Sequence, residues 1–250
     1  MSESLRAAAV SRSFQGVRAL EAVDLEVRRG EVVGLIGPNG AGKTTLINVI
    51  TGFDRPTQGT VEADGRDVTR WTVVRRARSA RLARTFQHGH LFADLSVREN
   101  VEVAALGVGA GPRAARERAD RLLGTLGLTE RAGHLAGGLP HGVERKVGVA
   151  RALATDPRYV LMDEPAAGLA EPEVPALVDV IRSVRDDHGA GVLLVDHNVS
   201  LIMRVCDRIH VLDQGRSLAQ GTPEEIRANL DVTSAYLGGS AAPGARDGRA

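Results

Sequence analysis

Three short stretches hold the residue types that could do chemistry. "GPNGAGKTT" places Gly37, Pro38, Asn39, Gly40, Ala41, Gly42, Lys43, Thr44 and Thr45 between an apolar run and an expected helix. "LMDEP" and "LLVDHN" end two further apolar runs in Asp163 with Glu164 and in Asp196 with His197. The first stretch fits G-x-x-x-x-G-K-[ST] after a strand and before a helix, the context in which that pattern cradles phosphate. Glycines at 37, 40 and 42 let successive backbone N–H groups converge on phosphate oxygens, and the helix opening near Lys43 adds the positive end of its dipole. Of 32 basic residues only Lys43 and Lys146 are lysine. A compact ammonium reaches between β and γ phosphates as a point charge, whereas the planar guanidinium fork does not fit so narrow a nest. Thr44 is placed to offer a hydroxyl to Mg²⁺.

A carboxylate at the end of the "YVLMDEP" strand can hold Mg²⁺ beside Thr44, directly or through water, and a second can polarise an attacking water. Asp163 and Glu164 are adjacent, so their side chains diverge and the two roles need not compete. A pair of solvated acids is the alternative. Asp196 and His197 stand where they could reach a γ phosphate; a purely structural histidine is the competing reading.

These residues need strands to end at them and helices to begin beside them. Residues 5 to 36 alternate short β-type segments with turn signals, and "EVVGLIG", "YVLMDEP", "GVLLVDH" and "DRIHVLDQG" read as strands. Alternation with helical segments implies a mostly parallel sheet covered on both faces. "PRAARERADRLLGTLGL" sets Ala115, Ala119, Leu122, Leu123 and Leu126 on one helical stripe, so residues of about 90 to 150 read as a helical lobe. Thr222 and Glu225 form a capping box for a late helix. The run "RWTVVRRARSARLART", with Val73, Val74, Ala77 and Leu82 interleaved, reads as an amphipathic helix with a solvated basic face. From Gly238 the tail is small and polar, and disorder is expected there.

Composition narrows the partners. A chain of 250 residues that is 43% hydrophobic supports one main domain with a smaller lobe. The 32 basic and 31 acidic residues nearly cancel, which argues against nucleic acid as a partner. Cys206, the single cysteine, reads as an inert thiol in a reducing cytosol. None of the seven histidines has the spacing of a zinc site. No run approaches the roughly 20 apolar residues that span a bilayer, so a soluble chain without membrane insertion is expected.

Taken together, the motifs resemble those of the ATP-binding cassette family, the nucleotide-binding subunits of ABC transporters, over nearly all of residues 5 to 237. The resemblance implies an α/β fold with a P-loop NTPase (RecA-like) core, a mostly parallel sheet, a small antiparallel β subdomain and a helical subdomain at about 90 to 150. One ATP-binding domain would then cover residues 1 to 237 and a tail residues 238 to 250. ATP and Mg²⁺ are the implied cofactors. Gln87, in "RTFQHGHLF", looks like the glutamine that senses Mg²⁺ and water, so Thr44, Gln87 and Asp163 form the implied metal set. Glu164 looks like the catalytic base and His197 like the switch histidine. Phe14 is similar in position to the aromatic that stacks on adenine, with a core role as its alternative.

The family's L-S-G-G-Q signature has two candidates. "LAGGL" at Leu135 is the better string match, but "LPHGV" lies at the customary 24 residues before Asp163 and leads into "ERKVGVARAL". The second register assigns Leu139, Pro140, His141, Gly142 and Val143, with proline in place of the serine that normally meets phosphate. Backbone amides behind that proline can still face phosphate. Ala170 stands where the family commonly has aspartate. The resemblance further implies a head-to-tail dimer with a second, identical or different, ABC ATPase subunit, and permease subunits that hold the chain on the cytoplasmic face of the membrane. "TGFDRPTQGTV", "DEPAAGL" and "GTPEEIRANLDVTSAYLGG" are most similar to subunits of branched-chain amino acid importers; amide, urea and lipopolysaccharide-export ATPases share much of this wording. A soluble assembly or repair ATPase and a poorly hydrolysing regulatory subunit are the alternatives.

Overall fold

The structure, a computed structural model, describes residues 3–85 and 91–234 of the chain. Gln87 and the tail from Gly238 lie outside the described residues. Among the described residues ten strands form two sheets. β1 (Ser4–Phe14), β2 (Val17–Arg28), β4 (Gln58–Ala63) and β5 (Arg66–Asp67) build an antiparallel sheet in the order β2-β1-β4-β5. β3 (Val32–Ile36), β6 (Leu82–Thr85), β7 (Tyr159–Asp163), β8 (Gly191–Val195), β9 (Arg208–Asp213) and β10 (Arg216–Gly221) build the second sheet, ordered β10-β9-β3-β8-β7-β6. Its strands run parallel except for the β9–β10 hairpin.

Sequence explains why this second sheet is central. β3 and β8 are unbroken apolar runs, and every residue in them is buried, the pattern of a strand covered on both faces. Alternate residues separate into two cores. Val32, Val160, Met162, Val192 and Leu194 pack under one layer of helices. Val33, Leu35, Leu161, Leu193 and Val195 face the antiparallel sheet. This is the period-two alternation of a pleated strand, read here from both sides.

The helices are α1 (Lys43–Thr51), α2 (Val73–Ser79), α3 (Val97–Gly107), α4 (Pro112–Thr125), α5 (His141–Ala154), α6 (Val174–Asp186), α7 (Val199–Val205), α8 (Pro223–Ala228) and α9 (Leu230–Val232). α4 buries Ala115, Ala119, Leu122 and Leu123 on one stripe. Ser96 and Glu99 exchange capping hydrogen bonds at the start of α3, as Thr222 and Glu225 do at α8.

The arginine-rich run departs from its expected form. Its helix ends at Ser79, Leu82 belongs to strand β6, and Val74 is exposed. Arg76 is instead the buried residue of α2, at 1% exposure. Its Nη1 donates to the carbonyls of Val49, at 2.7 Å, and Ile50, and its Nη2 to that of Thr69, at 2.9 Å. Val49 and Ile50 lie in the last turn of α1, where carbonyls lack intrahelical partners and the helix dipole is negative. The guanidinium thus caps α1 from inside the protein. Burial pushes its pKa down to about 10, still protonated at neutral pH.

His210 on β9 is buried at 1% exposure with its Nε2 3.0 Å from Ser217 Oγ, and its Nδ1 finds no partner among the described residues. Burial lowers its pKa to about 4.

Two outcomes follow from these buried groups. Arg76→Met removes the guanidinium shared by three carbonyls, of which Val49 O keeps only a 3.3 Å bond from Gly52 N, and should cost about 2–4 kcal/mol, read from urea unfolding at pH 7. For His210 the unfolded chain binds a proton near pH 6.5 while the folded one refuses it until about pH 4, so stability falls as pH drops through that window. The loss between pH 7 and pH 5 should be about 2 kcal/mol, and His210→Gln should remove it.

Candidate functional site

The turn from β3 into α1 is built by steric necessity. Gly37 and Gly42 have φ of 155° and 101°; a Cβ would stand 2.1 Å from Leu212 O at Gly37 and 2.7 Å from Ala19 O at Gly42. Only glycine allows the turn to press so closely on β9 and β2. Gly215 N also donates to Ala41 O, at 3.0 Å, tying the turn to the β9–β10 hairpin. Gly42 is the N-cap of α1, and no side chain caps the helix. The first amide N–H groups of α1 therefore converge with no acceptor from their own helix, beside the positive end of its dipole. Such an arrangement binds anions.

Lys43 lies across this turn at 8% exposure, with Nζ donating to Gly37 O at 2.7 Å and Pro38 O at 3.0 Å. Burial lowers its pKa, and the nearby carboxylates of Glu164 and Asp163 act the other way. A cavity of about 230 Å³ opens in front, lined by Asn39, Gly40, Ala41, Gly42, Lys43, Thr44 and Thr45. Glu164 and His197 form its far wall, and Ala19 of β2 closes a side. Residues far apart in sequence thus face one space.

The two acids at the end of β7 diverge. Asp163 Oδ2 accepts from Arg84 Nη2 at 2.7 Å, and Arg84 Nη1 donates to Asn48 Oδ1 of α1 at 2.8 Å. Glu164 has left-handed φ of 47°, and its N–H donates to Val195 O at 2.7 Å. That conformation is costly for a side chain other than glycine, and here it turns Glu164 away from Asp163 towards the cavity. His197 Nε2 lies 2.9 Å from Glu164 Oε1.

Asp196 does not face the cavity. At 4% exposure its Oδ2 accepts from Ala166 N at 2.7 Å and its Oδ1 from Asn198 N at 2.8 Å. One carboxylate therefore clasps the loop after Glu164 to the loop bearing His197. A short polar side chain immediately after a buried strand has two orphan amides within reach, and satisfying them outweighs exposure to solvent.

Phe14 ends β1, 43% exposed, with the Arg12 guanidinium 4.4 Å from its ring centre on one face. Arg12 is itself paired with Asp54 at 2.8 Å. Phe14 is thus a surface ring and not a core residue, although it does not line the cavity. Leu139, Pro140, His141, Gly142 and Val143 also lie outside the cavity lining. Pro140 is the N-cap of α5, its carbonyl accepting from Val143 N and Glu144 N. Sequence reasoning placed Lys43, Thr44, Glu164 and His197 but missed Ala19, Arg84 and the inward turn of Asp196. No local signal marks the first two, since their partners lie far along the chain.

Comparison with known proteins gives these features their setting. The family model described as ABC transporter matches residues 20–167, and one described as branched-chain amino acid ATP-binding cassette transporter matches residues 216–242. The chain is 42% identical over 240 residues to the high-affinity branched-chain amino acid transport ATP-binding protein LivG of Salmonella typhimurium, covering 90% of this chain and 94% of LivG. It superposes on the ADP conformation of MJ1267, an ATP-binding cassette of an ABC transporter, with a TM-score of 0.85 and 28% identity, over 95% and 100% of the two chains. The cassette MJ0796, in a dimeric post-hydrolysis state bound to ADP and Pi, matches with a TM-score of 0.77 and 26% identity over 88% and 98%. With the glycine-built turn, the facing carboxylate and these likenesses in agreement, the chain belongs to the ABC transporter family, as an ATPase of its ATP-binding cassette type.

Proposed function

We propose that this chain powers uptake of branched-chain amino acids, working as a dimer of ATP-binding subunits beneath permease subunits on the cytoplasmic face of the membrane. The observation that carries the substrate class is the agreement of two comparisons: 42% identity to LivG across 90% of the chain, and the match of residues 216–242 to the family model described as branched-chain amino acid ATP-binding cassette transporter. Among the described residues no helix is long and apolar enough to cross a membrane, consistent with attachment through partners.

In the proposed mechanism the amides of Gly40 to Thr45 and the Lys43 ammonium would hold the β and γ phosphates of ATP, and the exposed ring of Phe14 would stack on adenine. Thr44 and Asp163 are hard oxygen donors suited to Mg²⁺, with Gln87 as a further ligand from outside the described residues. Bound Mg²⁺ would neutralise charge on the terminal phosphates. Glu164 takes the proton of the attacking water. His197, its Nε2 2.9 Å from Glu164 Oε1, would orient that carboxylate and meet the γ phosphate. The chain's contribution is positioning and electrostatics rather than a covalent intermediate. Leu139 to Val143 would complete the site of the second subunit. MJ0796, which is dimeric with ADP and Pi, supports that reading.

The reading is tested by deleting this chain in its own cells and measuring uptake of labelled leucine, isoleucine and valine. Uptake should fall at least tenfold and return with the intact gene; unchanged uptake of all three would contradict the substrate class. In the isolated protein Glu164→Gln should lower ATP turnover by about 10²–10⁴-fold while ATP still binds. Asp196→Ala should lower kcat at least about tenfold with ATP affinity nearly unchanged, because the clasp sets Glu164 and His197 and leaves the phosphate turn intact.

A further inference from the structure

A second cavity, of about 460 Å³, lies away from the Lys43 turn, between α5 and α6. α5 packs on α3 and α4, and α6 on α7 and β8, so the two helices leave a cleft where they face each other. Gly142, Lys146 and Val149 line it from α5 at i, i+4 and i+7, one face of that helix. Its apolar wall is formed by Val149, Leu177 and Val180, all buried.

The cleft's charge is unbalanced. Arg131, Arg145 and Lys146 line it against one acid, Glu173, whose Oε2 already accepts from Ala170 N at 2.9 Å. Arg145 Nη2 donates to Ala167 O at 2.6 Å, but its Nη1 is buried and finds no hydrogen-bond partner among the described residues. Lys146, the second of the chain's two lysines, has its Nζ 3.4 Å from Leu126 O, long for a bond from a full charge. The carboxylates of Asp196, Glu173 and Glu144 act on the Arg145 charge but none accepts from its buried Nη1, and an anion in the cleft is a group that would supply that acceptor. The hydrocarbon wall asks for an apolar body on the same molecule. The volume is that of a small-molecule site.

We propose that this cleft binds small aliphatic carboxylates, with the carboxylate at Arg131, Arg145 and Lys146 and the hydrocarbon against Val149, Leu177 and Val180. The inference stands apart from the transported substrate, and because Pro140, Gly142 and Val143 also line the cleft it borders the residues proposed above for the second subunit's nucleotide. Because α5 starts at the His141 to Val143 turn, occupancy would also fix that turn relative to α6.

The test is isothermal titration of the whole chain with octanoate, 4-methylpentanoate, leucine and neutral octanamide. The carboxylates should bind saturably, with octanamide at least about tenfold weaker, a difference of about 1.4 kcal/mol. Leucine binding as tightly as 4-methylpentanoate would extend the class to zwitterions, with Glu173 meeting the ammonium. Lys146→Met should weaken octanoate at least about tenfold, and Ala176→Trp, an exposed position on the cleft's edge, should block it. Thermal unfolding checks that each variant folds; if one does not, the other and the octanamide comparison decide. Equal binding of octanamide, folded variants that bind like the parent, or no saturation by either carboxylate below about 10 mM would each overturn the proposal.

Discussion

The first turn of α1 carries amide donors that no side chain caps, set against a buried ammonium. The rest of the molecule keeps those donors converging and in place. A Cβ at Gly37 or Gly42 would collide with the backbone of β9 or β2, so both sheets hold the turn's shape. At the other end of the same helix Arg76 satisfies the carbonyls of Val49 and Ile50 from inside the fold. The uncapped start of α1 is therefore matched by an end anchored from inside the fold. A partial charge that is to stabilise phosphate works best when its support does not reorganise as the ligand arrives.

The facing wall depends on one carboxylate that does no chemistry. Asp196 joins the amides of Ala166 and Asn198, and so fixes the separation of the two loops that present Glu164 and His197. Arg84 plays the matching part for Asp163, linking β6 to α1 through Asn48. The strained backbone of Glu164 is held by its bond to Val195. Each group that could touch the reacting atoms thus leans on a neighbour that could not.

Much of this was legible before any fold was known. β3, β7 and β8 declare themselves because strands buried on both faces must be continuously apolar, and the phosphate turn declares itself because its glycines, lysine and threonine stand at fixed offsets. What was hidden depends on tertiary partners. Arg76 sits among arginines that look solvated, and only the neighbouring end of α1, 26 and 27 residues back, makes it a buried cap. Arg84 meets Asp163 79 residues later. Asp196 reads as an open acid until Ala166, 30 residues earlier, is folded against it. Pro140 to Val143 open α5 outside the lining of the Lys43 cavity, so the nucleotide role proposed for them is one that only a second subunit would bring into play.

The account stands on the turn between β3 and α1 as the seat of the terminal phosphates. A crystal structure of the chain with Mg²⁺ and a nonhydrolysable ATP analogue tests it most directly. It should show the β and γ phosphates on the amides of Gly40 to Thr45, with Lys43 Nζ moved from the carbonyls of Gly37 and Pro38 onto phosphate oxygen. Nucleotide bound elsewhere while Lys43 keeps those two carbonyls would contradict it.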